Sequence, residues 1–287
     1  MKKLHQSFYS MTAQEIKALV SLLDDEDNEV SYLVEREIRQ QGGGIIPYLE
    51  TEWESAGFNP TMQRKIEELI HELQYELTFS RLAAWATSEK KDLLEGLWIV
   101  ATYQYPDLPF EKLKKEFEQF YYETWLEFKE DMHPIDQIRT LNHVFFNKLK
   151  FGPNTKNFHS PSNSMINMVI ETRRGNPISL CCIYMIIAQR LNIPVYGVNL
   201  PKLFILTYKQ DLAQFYINVF NKGLIFMKAD LEHHIAQINI PSNESFYEPC
   251  TNLDIIRRVL LNLTVAFEKI GEAEKVKEVE KMTKLLL

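Results

Sequence analysis

Two adjacent cysteines, Cys181 and Cys182, lie in RRGNPISLCCIYMIIAQRLNIPVYGVNLPKLFILTY, residues 173–208, where a helical pattern passes into strand-like alternation. A thiol serves as a nucleophile in acyl transfer when a base within hydrogen-bond reach takes its proton and a third group orients that base. The available bases are His233 and His234, some fifty residues further along. A cysteine-dependent acyl transferase or protease would use Cys181 or Cys182 with His233. The third thiol, Cys250, follows Pro249 in a loop pattern and has no histidine beside it. Arg173, Arg174 and Asn176 form a second constellation, since a pair of guanidinium groups suits a carboxylate or a peptide backbone.

Local context weakens the nucleophile reading. Asn176 followed by Pro177 is an N-cap with proline at the first helical position. That places both cysteines beyond the first turn, where free N–H groups and the helix dipole lower a thiol pKa. Their neighbours Leu180, Ile183, Met185, Ile186 and Ile187 make the helix apolar nearly all round, the mark of a buried helix. Burial raises a thiol pKa, so core packing explains both side chains. His233 and His234 then belong to the surface of a short helix.

Metal chemistry finds little support. Taking Asp25 as the first position of a calcium loop puts Val30 where glycine must make the sharp turn. The acids of DDEDN suit the N-terminus of the following helix instead. His71-Glu72 begins like a zinc-protease motif, but Tyr75 stands where the second histidine is needed. His143 and His159 lack ligands at a suitable spacing and read as core and loop residues. No cofactor and no metal are expected.

The chain has 287 residues, 45% of them hydrophobic, three cysteines and a formal charge of -7. It can supply full cores for more than one domain without disulfides, and two neighbouring cysteines do not make a secreted framework. A cytoplasmic location is expected. The first residues are interrupted by His5, Gln6, Ser7 and Ser10, unlike the apolar region of a signal peptide. The longest apolar run, 180–188, is far short of a membrane span. Net negative charge disfavours nucleic acid and anionic membranes as partners, and favours another protein or a peptide.

The elements that would position these residues are mostly helical. Thr12 with Glu15 reads as a capping box before Ile16, Leu19, Val20 and Leu23. Val30, Leu33, Val34 and Ile38 repeat the pattern until the glycines at 42–44, and Pro47 opens a third helix, as in a HEAT-like repeat. Further helices are expected over 61–86, 92–103, 110–129, 134–150, 164–173 and 177–191. Phe117, Phe120, Tyr121 and Phe128 form an aromatic core stripe. Four short segments, VYGVNL, FILTY, FYINVF and GLIFM, alternate as strands of a small antiparallel sheet packed on the central helix. Asp230 reads as the cap of a short helix. Two long helices, 253–270 and 273–287, meet at Gly271 in a hairpin of the tetratricopeptide type.

Five blocks carry a resemblance: DLLEGLWIVATYQYPDL, LNHVFFNKLKF, SPSNSMINMVIETRRGNPISL, RLNIPVYGVNLP and IIRRVLLNL. In this order they resemble the transglutaminase-like superfamily, specifically its bacterial SirB-type branch. The resemblance implies an α+β, mainly helical fold. It divides the chain into a helical segment (1–90), a transglutaminase-like domain (91–250) and a helical hairpin (251–287).

Where that branch has glycine before Ile-Pro, this chain has Asn192, and its Pro-Gly-His-Phe turn reads Pro201-Lys202-Leu203-Phe204. The resemblance places the nucleophile at Pro177 or Ile178, the base at Leu203 and the acid at Asn218. It therefore implies a degenerate triad and a non-catalytic protein-interaction or regulatory scaffold. The branch is associated with regulation, and a related domain occurs in F-box proteins that act by binding.

Overall fold

The computed structural model describes residues 11–25, 27–57, 59–237 and 243–287, which fall into two compact units, Met1–Arg81 and Leu82–Leu287. The expectation about the first residues as a leader lies outside the described residues.

In the first unit, Thr12 caps α1 (Ala13–Ser21): its Oγ1 accepts the Glu15 N–H, and its own N–H donates to Glu15 Oε2 at 2.7 Å. The acidic turn serves α2 (Asn28–Gln41), because Asp27 Oδ1 accepts the Glu29 N–H at 2.9 Å. Asp25 Oδ1 in turn accepts the Asp27 N–H. Gly42, at φ 65°, ends α2, and the glycine run continues as a 3-10 turn into α3 (Ile46–Ser55). Helix α4 (Pro60–Thr87) follows. Val20, Leu23, Ile38, Leu49 and Ile66 meet in one apolar core.

The second unit begins its chain of helices with α5 (Leu93–Thr102), α6 (Phe110–Trp125) and α7 (Pro134–Asn142). Helix α6 stops four residues before its expected end: Asp131 turns the chain at φ 55°, and Pro134 starts the next helix. Of its aromatic stripe, Phe117 and Phe120 are buried, whereas Tyr121 and Phe128 are half-buried. The expected helix over 134–150 changes to a π-turn at His143–Lys148. The wider turn brings Phe145 onto Phe151 in a stack with centroids 4.7 Å apart, a packing gain that accounts for the change. The 164–173 helix is also shorter: a 3-10 turn at Pro161–Ser164 precedes α8 (Ile166–Thr172), which Arg173 ends at φ 57°.

Strand β1 (Gly152–Pro153) pairs in parallel with β2 (Arg174–Gly175), which leads into α9 (Pro177–Arg190). A Cβ on Gly175 would lie 2.5 Å from Ser179 Oγ and 2.9 Å from Val169, so only glycine lets β2 approach α9 this closely. Every residue of α9 from Ile178 to Ala188 is buried. Packed on it is a meander of β3 (Val195–Leu200), β4 (Leu203–Gln210), β5 (Ala213–Asn218) and β6 (Leu224–Phe226), antiparallel throughout. Leu200 pairs with Leu203, and Gln210 with Ala213, so both central hairpins have two-residue loops.

Helix α10 (Lys228–Gln237) begins two residues before Asp230. Asp230 is therefore not its cap; from the first turn its Oδ2 accepts the Met227 N–H at 2.9 Å. The chain closes with α11 (Asn252–Ile270) and α12 (Ala273–Lys284), joined at Gly271 with φ 81°. Among the described residues no helix is long and apolar enough to cross a membrane.

Candidate functional site

The first turn of α9 faces a pocket of about 180 Å³, which Pro177 and Ile178 line. Asn176 holds this end: its Oδ1 accepts the Ser179 N–H at 2.9 Å, and its Nδ2 donates to Ser164 Oγ at 3.2 Å. From the β3–β4 hairpin come Lys202, in its loop, and Phe204, on β4. Lys202 has φ 63° and Asn192 has φ 58°. At both positions where the resemblance expects glycine, the left-handed backbone survives without it, at a cost of roughly 1–2 kcal/mol for an ordinary L-residue and less for asparagine.

The opposite wall is α11. Arg258, Asn262, Val265 and Ala266 recur at i, i+4, i+7 and i+8, one stripe of that helix. Arg258 is half-buried, and its Nη1 donates to Asn199 Oδ1 at 3.2 Å and to the Leu200 carbonyl at 3.3 Å. Burial draws its pKa below the usual arginine range. His159 lies on the loop side, exposed, its ring edge-on to Phe158.

Around this pocket the three inferred triad positions take different directions. Ile178 lines the pocket and is buried. Leu203, at the start of β4, packs against the apolar cluster of Val198, Ile205, Leu231 and Ile235. Asn218 ends β5 and accepts the Asn221 N–H at 3.1 Å.

The thiols sit deeper. Cys181 and Cys182 have no exposed surface, and the Cys181 S–H donates to the Phe204 carbonyl at 3.8 Å. Burial pushes both thiols far above the ordinary cysteine range. Cys250 is partly buried, its N–H donates to the Gly197 carbonyl at 2.8 Å, and burial together with the Asp254 charge pushes its thiol up to about 12. His233 is exposed on α10, its Nε2 2.9 Å from Gln237 Nε2. The structure thus joins neither central cysteine to His233; for His234 only the backbone position on α10 is described. Among the described residues no cluster of three His, Cys, Asp or Glu side chains is placed to hold a metal.

Arg173 and Arg174 diverge. The Arg173 guanidinium lies over the Phe120 and Phe151 rings at 4.7 and 4.9 Å, with Nη1 buried and without a hydrogen-bond partner. Arg174 is exposed and its Nη1 donates to the carbonyls of Lys150 and Arg173. Asn176 is the one member of that trio on the pocket.

Sequence reasoning left out Arg258, Asn262 and Lys202 as pocket residues; His159 lies in a loop as expected, whereas His143, expected in the core, is exposed at the start of the π-turn. A signal for the first two existed. In IIRRVLLNL, Arg258 and Asn262 interrupt an otherwise apolar helix face four residues apart, on the side that buries Ile255 and Val259.

The sequence pattern described as Transglutaminase-like superfamily matches residues 111–261, just over half of the chain. A UPF0162 protein of Xylella fastidiosa strain 9a5c is 29% identical over 188 residues, 63% of this chain and 66% of that relative. A UPF0162 protein of a second strain of that species, Temecula1, is 32% identical over 142 residues, 49% of this chain and half of its own length. Human F-box only protein 21 is 31% identical over 108 residues, 35% of this chain and 17% of that relative. The chain thus spans less than two thirds of the length of the Xylella relatives. No solved structure matches.

Proposed function

Because the chain belongs to the transglutaminase-like superfamily, the first turn of α9 and the facing hairpin are where a cysteine and a histidine would be sought, and we propose that this member is a non-catalytic, SirB-type protein that acts by binding. The carrying observation is the state of the thiols. Cys181 and Cys182 are enclosed in apolar packing, and the Cys181 S–H donates to a backbone carbonyl rather than to an imidazole. A thiolate there would be desolvated with no cation beside it, and the base needed to form it is absent from its surroundings. The inferred triad positions hold Ile178, Leu203 and Asn218, of which only asparagine can even accept a proton bond.

Partners are then proteins or peptides, in a regulatory or scaffolding role. Tyr122, Trp125 and Leu126 support this: at i, i+3 and i+4 they form one face at the end of α6, and they are 60%, 55% and 71% exposed.

The test is twofold. Incubated with a glutamine peptide and a labelled amine, the protein is expected to give no incorporation above that of a Cys181→Ala, Cys182→Ala variant. Incorporation that vanishes in the variant, with the fold intact, would overturn the reading. Separately, a partner cross-linked to the native surface should be lost in a Trp125→Ser, Leu126→Ser variant that retains its unfolding midpoint.

A further inference from the structure

We propose that the pocket beside the first turn of α9 binds a small carboxylate. This rests on the non-catalytic reading of the same cleft and gives it a ligand class. Arg258 is the anchor. Its two hydrogen bonds both leave from Nη1, and Nε and Nη2 have no partner among the described residues. Those two nitrogens form one edge of the guanidinium fork, the edge that meets the two oxygens of a carboxylate.

No aspartate or glutamate lines the pocket among the described residues, although the whole chain carries a charge of -7. A half-buried cation with no acid beside it has lost hydration without gaining an ion pair, and an anion in the pocket would restore the balance. Lys202, which has no partner among the described residues, adds a positive charge and His159 a ring nitrogen, and the Asn262 amide is likewise uncommitted among the described residues. Phe158, Ile178 and Phe204 supply an apolar wall. At about 180 Å³ the space is smaller than the roughly 300–1,000 Å³ of drug-sized sites, so the ligand is of amino-acid size: a carboxylate on a short apolar body.

Calorimetric titration of the full chain with N-acetyl-leucine, its uncharged amide and inorganic phosphate tests this. The acid is expected to bind with a Kd of about 1 mM, in line with a ligand of this size, and the amide at least about tenfold more weakly. Arg258→Gln should lose the acid by tenfold or more. Since that change also cuts the bonds to Asn199 and Leu200, Lys202→Gly is the companion variant: it removes a charge while suiting the left-handed turn, and should weaken binding severalfold with the unfolding midpoint retained.

Equal affinity for acid and amide, binding of phosphate but not of the acid, undiminished binding in both variants, or no binding of the acid at about 20 mM would each overturn the assignment. Release of acetate from the bound acid would overturn the non-catalytic reading alone, leaving the carboxylate site in place.

Discussion

Site-resolved alkylation of the three cysteines measures the central chemical argument directly. The thiol of Cys250 is raised from an ordinary 9.0 to about 12. At pH 8 the thiolate fraction then falls from about one in ten to about one in ten thousand, a loss of roughly a thousandfold. A more basic thiolate is also a better nucleophile, and a Brønsted slope of about 0.4–0.5 over three units returns roughly 15- to 30-fold. Cys250 in the native protein should therefore react with iodoacetamide about 30- to 60-fold more slowly than in the urea-unfolded chain. Cys181 and Cys182 are both fully enclosed and raised, so they should react only through opening of the fold, at under about a thousandth of the unfolded rate for a domain of ordinary stability. Mass spectrometry of digests from a time course at pH 7, 8 and 9 reads all three sites. Labelling of Cys181 or Cys182 in the native protein at or above the unfolded rate, slowed by His233→Ala, would refute the reasoning and revive the thiol enzyme.

Three further outcomes follow from the same packing. A Cβ on Gly223, at φ 71°, would lie 1.9 Å from Asn142 Oδ1, the atom that accepts the Tyr184 hydroxyl at 2.9 Å; Gly223→Ala should cost about 3 kcal/mol in urea unfolding, and less in an Asn142→Ala background. Asn176→Ala removes the cap of α9 and the bond to Ser164, and should cost about 1–2 kcal/mol by the same measurement. The raised cysteine and tyrosine pKa values, including Tyr216 at about 12, mean that between the unfolded and folded values the native state holds more protons than the unfolded one. Stability is thus full below about pH 9 and falls as pH rises toward 12, so the thermal midpoint should drop steadily above pH 9; a midpoint independent of pH from 8 to 11 would contradict the burial of these groups.

Much of the fold was legible because its signals are local. Thr12 with Glu15, Asn176 before Pro177, and Gly271 each mark a helix end through the backbone groups they satisfy or the dihedral they permit, and all three do so in the structure. The four strands of a small antiparallel sheet followed from alternation of β-branched and aromatic residues, and the structure adds their order as a meander. The misses are places where packing overrode periodicity. Nothing local distinguishes HVFFNK from the α-helix before it; the π-turn is set by the stacking of Phe145 on Phe151, a residue outside the helix. Asp230 could be recognised as a helix-start residue but not assigned its position, since Met227 and Lys228 carry no start signal.

By itself the sequence determined that the central helix is buried and that its cysteines lie past the first turn, because composition and capping are properties of neighbouring residues. Through the resemblance it also offered Pro177 or Ile178, Leu203 and Asn218 as expected triad positions. Only the tertiary structure decided which polar groups meet there. It sent Arg173 over two phenylalanine rings and Arg174 to backbone carbonyls, and it brought Arg258 and Asn262 from a helix some eighty residues downstream to the start of α9. Such meetings depend on how α11 packs against the end of β3 and the start of α9, a relation between distant segments that no local pattern encodes.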